Sequence, residues 1–116
     1  MAFASSRRPL PCLNGFGLWH SAPLADQRPA DELRVLKLFA DSEETFDRLL
    51  VALETCAAKL RIRRIAVRAQ SAYVGPYRMM VARGYRVRWT DLRMTLAGYP
   101  EAQARDGEVL YSNWEI

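Results

Sequence analysis

The sequence predicts an α/β domain on a mixed sheet, with a central pair of parallel strands, two helices and an antiparallel pair of strands at the C-terminal end. Three observations predict it. Residues 33–40 form an apolar run that leads directly into a segment whose apolar positions, Phe46, Leu49, Leu50, Leu53, Cys56, Ala57 and Leu60, recur at three and four residues. A second strand-like run, RIAVRAQ, starts at Arg64, and a strand, helix, strand unit of this length implies parallel pairing through a right-handed crossover. Two further strand-like segments, 86–96 and 108–116, are separated by a loop containing Gly98, Pro100 and Gly107, and their simplest arrangement is an antiparallel pair.

From the N-terminus, residues 1–12 carry Pro9, Pro11 and the paired Arg7 and Arg8 without periodicity and read as a flexible tail, leaving 13–116 as a single domain. GFGLWH, from Gly15, makes a short strand, and 21–31, with Pro23 and Pro29, is loop. Within 33–40, Leu33 and Val35 alternate with Arg34 before the run becomes nearly continuous, as expected of a central strand covered on both faces. Asp41 or Ser42 caps the first helix, and the spacing of Asp41 and Glu44 resembles a capping box. The second strand spans 64–70 and 71–75 is a turn. Pro76 then suits the start of a short helix over 76–83, and Gly84 falls where a left-handed residue ends one. In 86–96 the apolar set changes parity, Val87 and Trp89 against Leu92, Met94 and Leu96, which points to a bulge or a change of buried face near Thr90 and Asp91.

Half of the 116 residues are hydrophobic, enough for one core. No run approaches the ~20 apolar residues of a membrane helix, and the first residues lack the apolar core of a secretory signal. A soluble, cytoplasmic protein is expected. Cys12 and Cys56 are expected to be reduced, with Cys56 a small core residue, and neither sits in a metal-ligand spacing. Seventeen cations face 13 acids, and the two signs are segregated. Asp41, Glu43, Glu44, Asp47 and Glu54 form one block, and nine cations from Lys59 to Arg88 follow without an Asp or Glu among them. That order suits an anionic partner or a dimer whose copies complement each other. Nucleic acid would call on Arg86, Arg88 and Trp89 as a stacking surface, but no nucleic-acid-binding motif accompanies them.

The order of elements, together with MVARGYRVRWTDLRMTLAGYPE (80–101) and GEVLYSNWEI (107–116), resembles the C-terminal two-thirds of the acyl-CoA N-acyltransferase (GNAT) superfamily, over roughly residues 15–116. The resemblance implies a GNAT-like sheet that is truncated at its N-terminal end, because only one or two short strands precede Leu33 where the family has a strand and two helices. It also implies acetyl-CoA or another acyl-CoA as cosubstrate in transfer to an amine. The pantetheine would lie on the backbone of Phe39 and Ala40, the pyrophosphate on the helix beginning at Ser42, and no metal is needed. The family's pyrophosphate loop, Q/R-x-x-G-x-G/A, is replaced by ADSEET, whose carboxylates stand where phosphate charge would lie and which lacks the Gly that lets backbone approach it. The family's Tyr general acid falls on Met80. Tyr77 is the candidate substitute, with Tyr73 nearby, while Tyr73, Tyr77 and Met80 also read as a packing stripe.

The remaining candidates are bland on sequence grounds. His20, the single histidine, has no nearby acid to orient it and reads as a surface or interface residue. Asp91 and Arg93 read as a structural pair, and Trp89, Trp114 and Tyr111 as core or interface aromatics. Two functions follow. One is an N-acyltransferase-like protein with a degraded CoA loop. The other is a non-catalytic GNAT-fold module for dimerisation or regulation, whose partner is a second copy or another GNAT-like domain that covers the sheet.

Overall fold

The computed structural model describes residues 14–21, 31–88, 90, 94–99 and 104–112. Within them the element order is β1 (Gly15–His20), β2 (Glu32–Ala40), α1 (Glu43–Lys59), β3 (Arg64–Val67), α2 (Val74–Ala82) and β4 (Val109–Ser112). The tail expected at 1–12, with Cys12, and the candidates Trp89, Asp91, Arg93 and Trp114 lie outside the described residues. The sheet is mixed: β2 pairs antiparallel with β1 and parallel with β3, as the strand, helix, strand unit requires.

β2 carries a bulge. Leu18 pairs with Lys37 and Trp19 with Val35, so Leu36 is an extra residue in β2. One extra residue moves every following side chain to the other parity, and the buried positions change from Leu33 and Val35 to Leu38 and Ala40. The near-continuous apolar run therefore has a local cause. The bulge keeps one buried set on the helix side, whereas Arg34, Leu36 and Phe39 are only half-buried, so the strand is not equally covered on both faces.

α1 starts where Ser42 leaves the strand with extended dihedrals and its Oγ accepts the Thr45 N–H at 3.1 Å. The cap is thus Ser42 rather than Asp41. Its partner is Thr45, whose hydroxyl accepts from Ser42 Oγ at 3.2 Å, while Glu44 turns outward to accept from Arg48 at 2.8 Å. Phe46, Leu50, Leu53 and Ala57 are buried along the inner face. Side chains the size of Phe or Leu contribute ~1.5–3 kcal/mol each on full burial. The helix closes in a Schellman turn, with Arg61 N–H donating to Ala58 O and Ile62 N–H to Ala57 O. Arg61 holds the left-handed position at φ 58°. Leu60, expected on the inner stripe, is the cap residue and is 53% exposed.

α2 begins at Val74, two residues ahead of Pro76, and ends in a second Schellman turn in which Gly84 (φ 96°) donates to Val81 O and Tyr85 to Met80 O. β3 ends at Val67, short of the expected Gln70.

The C-terminal strand pair differs from expectation. β4 lies antiparallel on β2, and the described residues of 86–96 are outside any strand. The physical reason is burial. Arg86, Val87 and Arg88 are all exposed, so their alternation marks no buried face, whereas Val109 and Tyr111 are each 1% exposed. Tyr111 meets Phe46 edge-on with ring centroids 5.7 Å apart.

A left-handed conformation costs a non-Gly residue ~1–2 kcal/mol, part of which Gly returns through its greater unfolded-state entropy. Arg61→Gly is therefore expected to raise the unfolding free energy by about 0.5–1 kcal/mol in urea denaturation. A drop in stability would mean that the Arg61 side chain more than offsets its backbone strain.

Candidate functional site

The sequence places its candidate chemistry where β2 runs into α1, and pairing decides what this junction offers. β1 occupies one edge of β2 from Arg34 to Ala40. The other edge is divided. Glu32 to Val35 pair with Arg64 to Val67 of β3, and then Lys37, Leu38, Phe39 and Ala40 pair with Ser112, Tyr111, Leu110 and Val109 of β4. The two parallel strands thus part company after Val35 and Val67, and the chain's own β4 takes up the edge they vacate. Phe39 and Ala40 have strands on both sides. Phe39 also faces Phe16, with ring centroids 6.3 Å apart, and a Cβ on Gly15 would stand 2.7 Å from Phe39 O, so β1 lies very close here.

The helix end beside this edge is acidic. Ser42 already satisfies the Thr45 N–H, and Asp41 donates its own N–H to Asn14 O at 2.8 Å. Glu43 and Glu44 fill the first turn of α1, where carboxylates complement the positive end of the helix dipole. Glu43 also reaches the first turn of α2, since a side chain on Gly75 would run into its carboxylate. That helix has no side-chain cap of its own at Tyr73. Glu43, Tyr73, Gly75, Pro76, Glu108 and Val109 border a cavity of about 160 Å³, below the ~300–1,000 Å³ of ordinary small-molecule sites. Its two carboxylates disfavour an anion.

Tyr77 is 37% exposed on α2, while Met80 is buried and Tyr73 packs on the core, its ring 5.7 Å from that of Tyr111. The expected packing stripe therefore holds for Tyr73 and Met80 and leaves Tyr77 at its outer edge. The structure does not bring Tyr77 together with His20 in any described hydrogen bond, and His20 lies half-buried at the end of β1. The Tyr111 hydroxyl is buried with no hydrogen-bond partner among the described residues, and burial, with a smaller contribution from Tyr73, pushes its pKa up. Cys56 is a free thiol of intermediate burial. Among the described residues no group of His, Cys, Asp and Glu could hold a metal ion, and no helix is long and apolar enough to cross a membrane.

One cluster escaped the sequence reading. Arg83 grips Glu54 through both carboxylate oxygens, Nε donating to Oε2 at 3.1 Å and Nη2 to Oε1, and its Nη1 reaches Asp47 at 3.1 Å. The Tyr85 hydroxyl donates to Glu54 Oε2 at 3.1 Å. The acids lie seven residues apart on α1, and both partners come from the end of α2. The cluster clamps the two helices together. Its only sequence signal is the facing of an acidic helix by a basic segment.

With this geometry in place, comparison with protein-family models, curated proteins and solved structures returned no match to the chain.

The Arg83 hydrogen bond holds the Glu54 carboxyl below its usual pKa, against burial that raises it and with help from Tyr85. A carboxylate with a depressed folded-state pKa contributes stability that is present above the unfolded value, ~4.3, and is lost as pH falls through the folded one. Stability should therefore fall more steeply on acidification below about pH 5 in the parent chain than in Glu54→Gln. Urea midpoints at neutral and acid pH measure the difference. Parallel slopes would show that solvent screens the pair to insignificance.

Proposed function

We propose that the chain is a non-catalytic GNAT-like module that acts by association with another protein surface rather than by acyl transfer. The observation that carries this reading is the pairing of β4 along Lys37 to Ala40 of β2. An acyl-CoA bound in the manner the resemblance implies needs that edge free for its pantetheine amides, and here Val109 and Leu110 pair with Ala40 and Phe39. The helix end where its pyrophosphate would rest is capped by Ser42 and carries Glu43 and Glu44 in its first turn. Charge and backbone therefore both oppose the ligand.

Acyl transfer remains a second reading because β2 and β3 do separate beyond Val35 and Val67, as strands around a pantetheine would. In that case β4 would have to leave. An amine would attack the thioester carbonyl, the amide would form as the carbon–sulfur bond breaks, the exposed Tyr77 would protonate the departing thiolate, and the proton shed by the amine nitrogen would restore the Tyr77 hydroxyl. Phe39 and Ala40 would then offer backbone to the pantetheine and Ser42 its helix end to the pyrophosphate.

Thermal unfolding in the presence of about 1 mM acetyl-CoA separates the two. A ligand bound at one hundredth of that concentration adds ~2.7 kcal/mol, several degrees for a domain of this size. No shift is expected. A shift of that size would overturn the proposal. The Glu43→Gly, Glu44→Gly double variant tests the cause. It should stay unresponsive if β4 is what closes the edge, whereas newly gained binding would assign the exclusion to the two carboxylates.

A further inference from the structure

The outer face of α1 has a small apolar centre between charged ends. Glu44, Arg48, Val51, Ala52, Thr55 and Lys59 are all exposed on it, and its middle is apolar where an outward face is normally charged or polar. Val51 is 47% exposed. The charges at its two ends have opposite sign, and Arg48, one turn inward, holds Glu44 at 2.8 Å without cancelling the excess of acids there. Glu44 lies in the first turn and Lys59 in the last, so each complements the helix dipole where it stands. Beyond them the poles continue, with Asp41 and Glu43 exposed at one end and Arg61 and Arg63 exposed at the other. Lys59, Arg61 and Arg63 have no ion-pair partner among the described residues.

The spacing is palindromic about the middle of the helix. Glu44 and Lys59 are equally far from the midpoint between Val51 and Ala52, ~11 Å at 1.5 Å per residue, and Arg48 and Thr55 are likewise equidistant. A copy of α1 laid antiparallel on the first therefore sets acid against cation at both ends and small apolar side chains at the centre. A parallel copy would set like against like. Self-complementarity of this kind is what an isologous contact about a two-fold axis requires, and small residues at the crossing let the two backbones come close.

We propose that the outer face of α1 docks on the same face of a second copy, antiparallel about a two-fold axis passing between Val51 and Ala52, with Glu44 of each copy meeting Lys59 of the other. This rests on the association reading above and supplies its partner. A single helix pair falls in the small, transient class of interface. The dimer accordingly forms in the micromolar range and weakens as salt screens its charged ends.

Sedimentation velocity of the full chain from about 1 to about 500 µM at low salt is the test. The parent should pass from monomer to dimer across that range. Glu44→Lys and Lys59→Glu alone should each raise the dissociation constant at least tenfold, and the double variant Glu44→Lys, Lys59→Glu should restore dimerisation, because it re-forms both pairs with their signs exchanged. Far-ultraviolet circular dichroism confirms that each variant is folded. A chain that stays monomeric throughout, or a dimer indifferent to both single reversals, overturns the proposal. Failure here is distinct from failure of the association reading, which a thermal shift with acetyl-CoA would overturn whatever the oligomeric state.

Discussion

A nine-residue strand at the centre of a sheet must find partners for its backbone donors and acceptors along both edges, and in β2 the two edges are filled in different ways. β1 serves one edge from Arg34 to Ala40. The other passes from a parallel partner to an antiparallel one at the bulge, because β3 ends at Val67 while β2 runs on for several more residues. The uncovered stretch is closed by β4, and closing it brings Tyr111 onto Phe46 and Tyr73. The core is thus completed by the last described strand. The bulge at Leu36 makes this possible, since it keeps Leu38 and Ala40 on the helix side just where the pairing partner changes.

The charges follow α1 in the same way. Glu43 and Glu44 lie in its first turn and Lys59 in its last, an order the helix dipole favours at each end by ~0.3–1 kcal/mol per charge. Glu43 extends this to α2, where it lies against Gly75 in the first turn of a helix without a cap of its own. Arg83 then ties the far side of α1 to the end of α2 through Glu54 and Asp47. No ligand is needed to explain the segregation of sign. It is a by-product of holding two helices on one sheet, and it leaves a molecule with two poles.

Much of the fold was legible because it is written locally. Gly15–His20 matches its strand, the three-and-four spacing of Phe46, Leu50, Leu53 and Ala57 matches the inner face of α1, and Gly84 ends α2 as a left-handed residue. What failed is non-local. Nothing in EVLYSNW says that its partner is β2, which precedes both helices, rather than the nearer 86–96, and period-two alternation in RVRW marks a strand only where one face is buried. The bulge was invisible for a related reason: an inserted apolar residue and a strand covered on both faces produce the same unbroken run. At the strand-to-helix junction the sequence allows either Asp41 or Ser42 as the cap, and backbone conformation rather than residue type selects Ser42.

The junction raises a question of magnitude: whether its carboxylates or its strand does more to refuse an anionic ligand. An exposed carboxylate four ångströms from a phosphate charge in water costs about 1 kcal/mol, and salt reduces that. Displacing β4 is a larger matter. It would return Val109 and Tyr111, each almost completely buried, to solvent, at ~1.5–3 kcal/mol for a side chain of Val size and more for an aromatic ring. It would also leave four residues of β2 without their partners on that edge. The acidic residues are the more conspicuous feature in the sequence, yet the greater barrier at this edge is the hydrophobic anchoring of a short strand whose sequence gives no hint of where it will dock.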